Sequence, residues 1–173
     1  MFKVTDVMIS EEQLAQKVSE IAKKIETDFE GQELLVVGIL KGASVFVSDL
    51  IRKINLDVNI DFMSVSSYGN STESSGTVKI LKDLDVDIEG KNVLIVEDII
   101  DSGLTLSNLV AALETRNPKS LKLCTLLDKP QRRKVNIPVD YVGFVIEDKF
   151  IVGYGIDYAE KYRNLPYIGI VGE

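Results

Sequence analysis

Histidine is absent from the 173-residue chain, and cysteine occurs once, as Cys124. Without histidine there is no Ser-His-Asp or Cys-His nucleophile system and no imidazole-ligated metal centre, which removes many hydrolase mechanisms. One thiol in an apolar run closes no internal disulfide. It reads as a small core residue and suits a reducing compartment. No stretch approaches the roughly 18 apolar residues of a membrane span. The first residues carry acids and polar helix formers rather than a basic-then-apolar secretion signal. These omissions predict a cytoplasmic protein with no membrane partner. Positive charge is also scarce: net charge is -7 and the pI about 4.8, which disfavours nucleic acid as the main partner. The remainder, 45% hydrophobic and 27% charged, is ordinary for a soluble globular domain. At this length a single domain buries about 70% of its unfolded surface.

The most informative stretch runs from Val93 to Thr105. Val93, Leu94, Ile95 and Val96 form a short branched apolar run, the pattern of a strand buried on both faces. The run stops at two carboxylates, Glu97 and Asp98. Asp101, Ser102, Gly103 and Thr105 follow, and Leu106, Leu109, Val110 and Leu113 then recur at helical spacing. A strand that turns through small polar residues into a helix leaves unpaired N–H groups at the helix start, where an anion binds. Ser102, Gly103 and Thr105 offer donors to a phosphate, whereas Glu97 and Asp98 suit paired ribose hydroxyls or Mg²⁺. A ribose 5-phosphate laid over the strand end satisfies both halves. No Gly-Lys-Ser/Thr follows, so the loop is not the usual nucleoside-triphosphate cradle.

The rest of the chain reads as an α/β domain. Ser10-Glu11-Glu12-Gln13 is a capping box opening a helix whose Leu14, Val18, Ile21, Ala22, Ile25 and Phe29 share one face, with Gly31 at the exit. Leu34 to Leu40 is a second buried strand. It runs into Lys41-Gly42-Ala43-Ser44 and a helix carrying Val45, Phe46, Leu50 and Ile54. Val58 to Val65 alternates as a strand. Residues 66–76 lack apolar anchors apart from Tyr68, and strand character resumes at Val78, so this reads as a long mobile hairpin tip able to fold over a site. Residues 83–87 are acidic and read as a solvated face. Ser120 to Leu127 is a third apolar strand, ending at Asp128-Lys129-Pro130. Strands ending this way in an open α/β sheet converge on a ligand. Gln131-Arg132-Arg133-Lys134 reads as a solvent-facing basic loop without interleaved aromatics. Taken alone, Phe150 reads as core.

The set Glu97-Asp98, Asp101-Ser102-Gly103-Leu104-Thr105 resembles the signature of type I phosphoribosyltransferases, which use 5-phosphoribosyl-1-pyrophosphate. Leu40-Lys41-Gly42-Ala43 resembles the pyrophosphate loop of the purine enzymes. The tail, Asp148-Lys149-Phe150-Ile151-Val152-Gly153-Tyr154 with Asp157-Tyr158 and Tyr162-Arg163-Asn164-Leu165, resembles the 6-oxopurine branch, the hypoxanthine-guanine phosphoribosyltransferases. The likeness runs from the Leu34 strand to the Ile168 strand.

That resemblance implies a type I phosphoribosyltransferase fold: a central, mostly parallel sheet flanked by helices, with a small hood and a flexible lid loop. It implies one domain over 1–173, with a core of about 10–145, a lid at 66–77, and a hood from the N-terminal residues and about 146–173. It further implies Mg²⁺-dependent transfer of the phosphoribosyl group to N9 of hypoxanthine or guanine in purine salvage, yielding IMP or GMP and pyrophosphate. Asp101 would be the general base for the purine N7 proton. Residues 101–105 would hold the 5-phosphate, and Glu97 and Asp98 the ribose and metal. Two Mg²⁺ ions would be held with help from Asp157. Lys41, preceded by a cis peptide, Gly42, Ser67, Tyr68 and Arg163 would meet pyrophosphate. Phe150 would stack on the purine, the Ile151 backbone would bond its pyrimidine edge, and Lys129 would donate to its 6-oxo group. An ammonium has donors only, so the 6-amino group of adenine would leave it unpaired.

The chain departs from common family forms with Ala43 in place of a second Gly and Leu104 where some relatives carry Lys. The preference among hypoxanthine, guanine and xanthine, and dimer against tetramer, stay open at this level. Two other readings remain: a non-catalytic RNA-binding regulator on the same fold, as in pyrimidine operon attenuators, and an enzyme for another base.

Overall fold

The structure, a computed structural model, describes residues 3–67 and 78–172. Its centre is a six-stranded sheet. β2 (Leu34–Ile39), β3 (Val58–Ser67), β5 (Asn92–Ile100), β6 (Ser120–Asp128) and β7 (Tyr141–Val145) run parallel, and β4 (Val78–Lys82) is antiparallel on the edge. The order is β4-β3-β2-β5-β6-β7. A second sheet joins β1 (Lys3–Ile9), β9 (Ile168–Gly172) and the two-residue β8 (Ile151–Val152), pairing the N-terminal strand with the tail.

Side-chain alternation explains why the central strands are apolar at every position. Val36, Leu94 and Val96 face α1 (Glu11–Asp28) and α2 (Ser44–Ile51), whereas Leu35, Val37, Val93 and Ile95 face α3 (Leu104–Glu114). The α1 stripe Leu14, Val18, Ile21, Ala22 and Ile25 is buried, and each of its larger residues contributes about 1.5–3 kcal/mol. Ser10 accepts from the Gln13 N–H while the Gln13 side chain accepts from the Ser10 N–H, the expected capping box. Two details differ from expectation. Helix α2 stops at Ile51, so Ile54 packs from the following turn. Asp83 is no idle surface acid: Arg116 grips it with two bonds of 2.8 and 3.0 Å, holding its carboxyl below the usual range.

Because β2, β5 and β6 are adjacent and parallel, their carboxyl ends lie side by side. Lys41-Gly42, Glu97 to Thr105 and Asp128-Lys129 are thereby gathered along one edge.

Candidate active site

The β5 strand carries Glu97 and Asp98 past the apolar core, then ends at Ile100. Asp101 is exposed, and the chain turns through Ser102 and Gly103 into α3. Gly103 has a φ of +79°, and a Cβ there would stand 3.1 Å from Arg133 Cδ, so the turn requires glycine. No side chain caps this helix start, although Ser102 Oγ accepts weakly from the Leu104 N–H at 3.3 Å. A cavity of about 230 Å³ opens here, lined by Glu97, Asp101, Ser102, Gly103 and Thr105 among others. Leu104 supplies no charge, so anion affinity in this cavity rests on backbone donors and the helix dipole.

Glu97 and Asp98 crowd one another. Burial raises both carboxyls, Glu97 well above its ordinary value of 4.5, and the neighbouring Asp98 charge pushes Glu97 further. Asp98 is steadied by the Ile99 N–H at 2.7 Å and, more weakly, by the Arg163 charge. A divalent cation or paired hydroxyls would relieve such a pair, so the donor set fits Mg²⁺. Among the described residues no three carboxylates cluster closely enough to hold a metal, so Asp157 does not join Glu97 and Asp98. It faces Arg163 instead, at 3.5 Å.

A raised carboxyl pKa stabilises the folded state below the unfolded value and loses that contribution as pH rises through the folded value. At neutral pH the pair therefore opposes folding. Glu97→Gln is expected to raise the melting temperature at pH 7 by about 2–4 °C, for a gain of about 1 kcal/mol, allowing for partial solvent access. The gain should shrink toward pH 5. Calorimetry of wild type and variant across that range checks it, and a gain no larger at pH 7 than at pH 5 would contradict it.

Lys41 follows a cis peptide, as expected, in the loop after β2. Gly42 presses against the Asp98 side chain of β5, where a Cβ would meet Oδ2 at 2.0 Å, so any larger residue would push that carboxylate aside. Ala43 is fully buried, its methyl packed in the core on the α1–α2 side of the sheet. The Lys41 ammonium lies 3.0 Å from Glu160, which also accepts from Arg163 at 3.2 Å. Arg163 donates to the Gly155 carbonyl at 2.8 Å, and its buried Nε has no partner. Glu160 thus draws Lys41 and Arg163 to one spot. Sequence reasoning missed it, since an exposed acid among tail residues carries no signal until its partner 119 positions away is placed.

Lys129 is 7% exposed. Its ammonium donates to the Lys149 carbonyl at 2.8 Å and sits 3.6 Å from Asp148. An ammonium has three donors, so capacity remains for a ligand carbonyl. Phe150 is 48% exposed, edge-on to Tyr158 at 5.1 Å, and so is not the core residue its type suggests. Ile151 is buried in β8. Ser67 ends β3 with its backbone paired to Val78, whereas Tyr68 and the remainder of the expected lid, 68–77, lie outside the described residues. The basic loop is corrected in one respect: Arg132 is exposed, but Arg133 is ion-paired with Asp128 and mostly buried.

The phosphoribosyl transferase domain matches residues 8–159. The hypoxanthine-guanine phosphoribosyltransferase of Bacillus subtilis (strain 168) is 55% identical over 168 residues, covering 97% of this chain and 93% of that protein. The bifunctional protein TilS/HprT of Listeria monocytogenes serotype 4b (strain F2365) is 56% identical over 168 residues; the match takes in 97% of this chain but only 26% of that longer protein. A crystal structure of a hypoxanthine-guanine phosphoribosyltransferase from Bacillus anthracis superposes with a TM-score of 0.94 at 59% identity, covering 99% of this chain and 100% of that one. No helix among the described residues is long and apolar enough to cross a membrane.

Proposed function

The chain belongs to the phosphoribosyl transferase family, and on that premise we propose that it salvages purines. In this reading it moves the phosphoribosyl group of 5-phosphoribosyl-1-pyrophosphate onto N9 of hypoxanthine or guanine, giving IMP or GMP and pyrophosphate. One observation carries most weight: the Lys129 N–H donates to the Ile100 carbonyl at 3.0 Å across the β5–β6 pair. The main chain that carries the buried Lys129 side chain thus lies one strand spacing, about 4.8 Å, from the end of β5 that feeds the anion loop.

The residues divide the work. Ser102, Gly103, Leu104 and Thr105 hold the 5-phosphate at the start of α3, and Glu97 and Asp98 take the ribose hydroxyls. Phe150 stacks on the purine, Lys129 donates to its 6-oxo group, and the Ile151 backbone borders the pyrimidine edge. Asp101, exposed beside the cavity, receives the N7 proton as N9 attacks the ribose carbon. Mg²⁺ held by Glu97 and Asp98 would supply positive charge to the departing pyrophosphate, and Asp157 would join it from the hood side only on leaving Arg163. Lys41, Gly42 and Arg163 bind that anion, with Ser67 and Tyr68 reaching it from the lid. Glu160 must release both cations when it arrives.

We further take 146–173 with the N-terminal strand as the hood over a 10–145 core in a single domain. The small sheet in which β9 pairs with both β1 and β8 supports that division. Family resemblance supports a cytoplasmic homodimer or homotetramer. Incubating the protein with 5-phosphoribosyl-1-pyrophosphate, Mg²⁺ and hypoxanthine should release pyrophosphate and an equal amount of N9-linked IMP. Pyrophosphate release without a nucleotide product would overturn the assignment.

A further inference from the structure

The basic segment that starts at Lys129 lies against the phosphate loop and ties down three successive carbonyls, from the last residue of β5 into the loop. Ile100 accepts from the Lys129 N–H at 3.0 Å, Asp101 from the Arg133 Nε at 3.2 Å, and Ser102 from the Lys134 N–H at 2.9 Å. A trans peptide is planar, with its N–H directed opposite its C=O. Drawing the Asp101 and Ser102 carbonyls toward this segment therefore turns the Ser102 and Gly103 N–H groups away from it, to the side where an anion would sit.

Two of these three donors are backbone and survive substitution. Arg133 is the side-chain one. Its guanidinium is locked by Asp128 at the end of β6, and the two side chains are only 20% and 15% exposed. Its Cδ also packs beneath Gly103, the residue whose positive φ makes the turn. A guanidinium fork is suited to hold a carboxylate and a carbonyl together.

We infer that Arg133 is a positioning residue for the phosphate loop, orienting the Asp101–Ser102 peptide so that its N–H faces the 5-phosphate, without touching substrate. The inference rests on the reading of residues 101–105 as a 5-phosphate site. Alignment matters more in this chain because Leu104 brings no charge of its own, so affinity depends on correctly aimed amides.

The test compares wild type, Arg133→Met and Arg133→Lys in the full chain. Each is measured for binding of IMP and of inosine, for steady-state constants and for melting temperature. Arg133→Met should weaken IMP about tenfold, the effect of losing one charge-assisted hydrogen bond, and raise KM for 5-phosphoribosyl-1-pyrophosphate similarly. Inosine affinity and KM for hypoxanthine should stay within about twofold. Arg133→Lys should recover part of the loss, since its ammonium can still reach the Asp101 carbonyl. Equal weakening of IMP and inosine would make Arg133 a general strut and overturn the inference, as would IMP binding unchanged in Arg133→Met. A wild-type protein indifferent to the 5-phosphate would overturn the reading of the loop, and this inference with it.

Discussion

Asp101→Asn is expected to lower turnover about 10²- to 10⁴-fold, the span of a lost general base, while KM for 5-phosphoribosyl-1-pyrophosphate changes little. Asparagine matches the shape of aspartate but takes no proton at neutral pH. The backbone role of residue 101 should survive, because its carbonyl still accepts from Arg133 and the Ser102 carbonyl still accepts from the Lys134 N–H. Steady-state constants together with direct binding of 5-phosphoribosyl-1-pyrophosphate separate the possibilities. If affinity falls as far as rate, residue 101 is a ligand or a structural group, and the proton must go elsewhere.

Lys129→Ala is expected to cut kcat/KM for hypoxanthine about 10²-fold, the equivalent of one charged hydrogen bond in a desolvated pocket. The choice among bases should suffer as well. In the native site an adenine amino group would meet a cation with nothing to accept it. Without the cation, 6-oxopurines lose their advantage and the gap to adenine narrows. The truncation also strips the Lys149 carbonyl of its 2.8 Å donor, so Lys129→Met serves as the packing control. Equal losses for every purine, which leave the ratio of hypoxanthine to adenine unchanged, would remove Lys129 from base selection.

Much of this arrangement was legible before any fold was known, because its signals are local. Val93 to Val96 could be read as buried on both faces, and the Ser10 capping box marked the start of α1. The change from an uninterrupted apolar run to helical spacing around Gly103 marked the turn into α3. The losses came where function depends on partners distant in the chain. Arg133 belonged to a basic run whose default is solvent, and its burial follows from Asp128 and from a loop 32 residues earlier. Glu160 stayed silent for the same reason. Asp83 needed Arg116, placed by α3, before it ceased to be surface charge. Phe150 went the other way: its type suggests the core, whereas the structure leaves it half exposed.

The most direct test is product formation with 5-phosphoribosyl-1-pyrophosphate and Mg²⁺ against hypoxanthine, guanine, xanthine, adenine and uracil in parallel. The account predicts nucleotide from the 6-oxopurines hypoxanthine and guanine and none from adenine or uracil, with the place of xanthine read from the same experiment. Adenine or uracil used as well as hypoxanthine would contradict the role of Lys129 and the assignment built on it. No product from any base would contradict the enzyme reading itself, and binding of RNA would then be measured next.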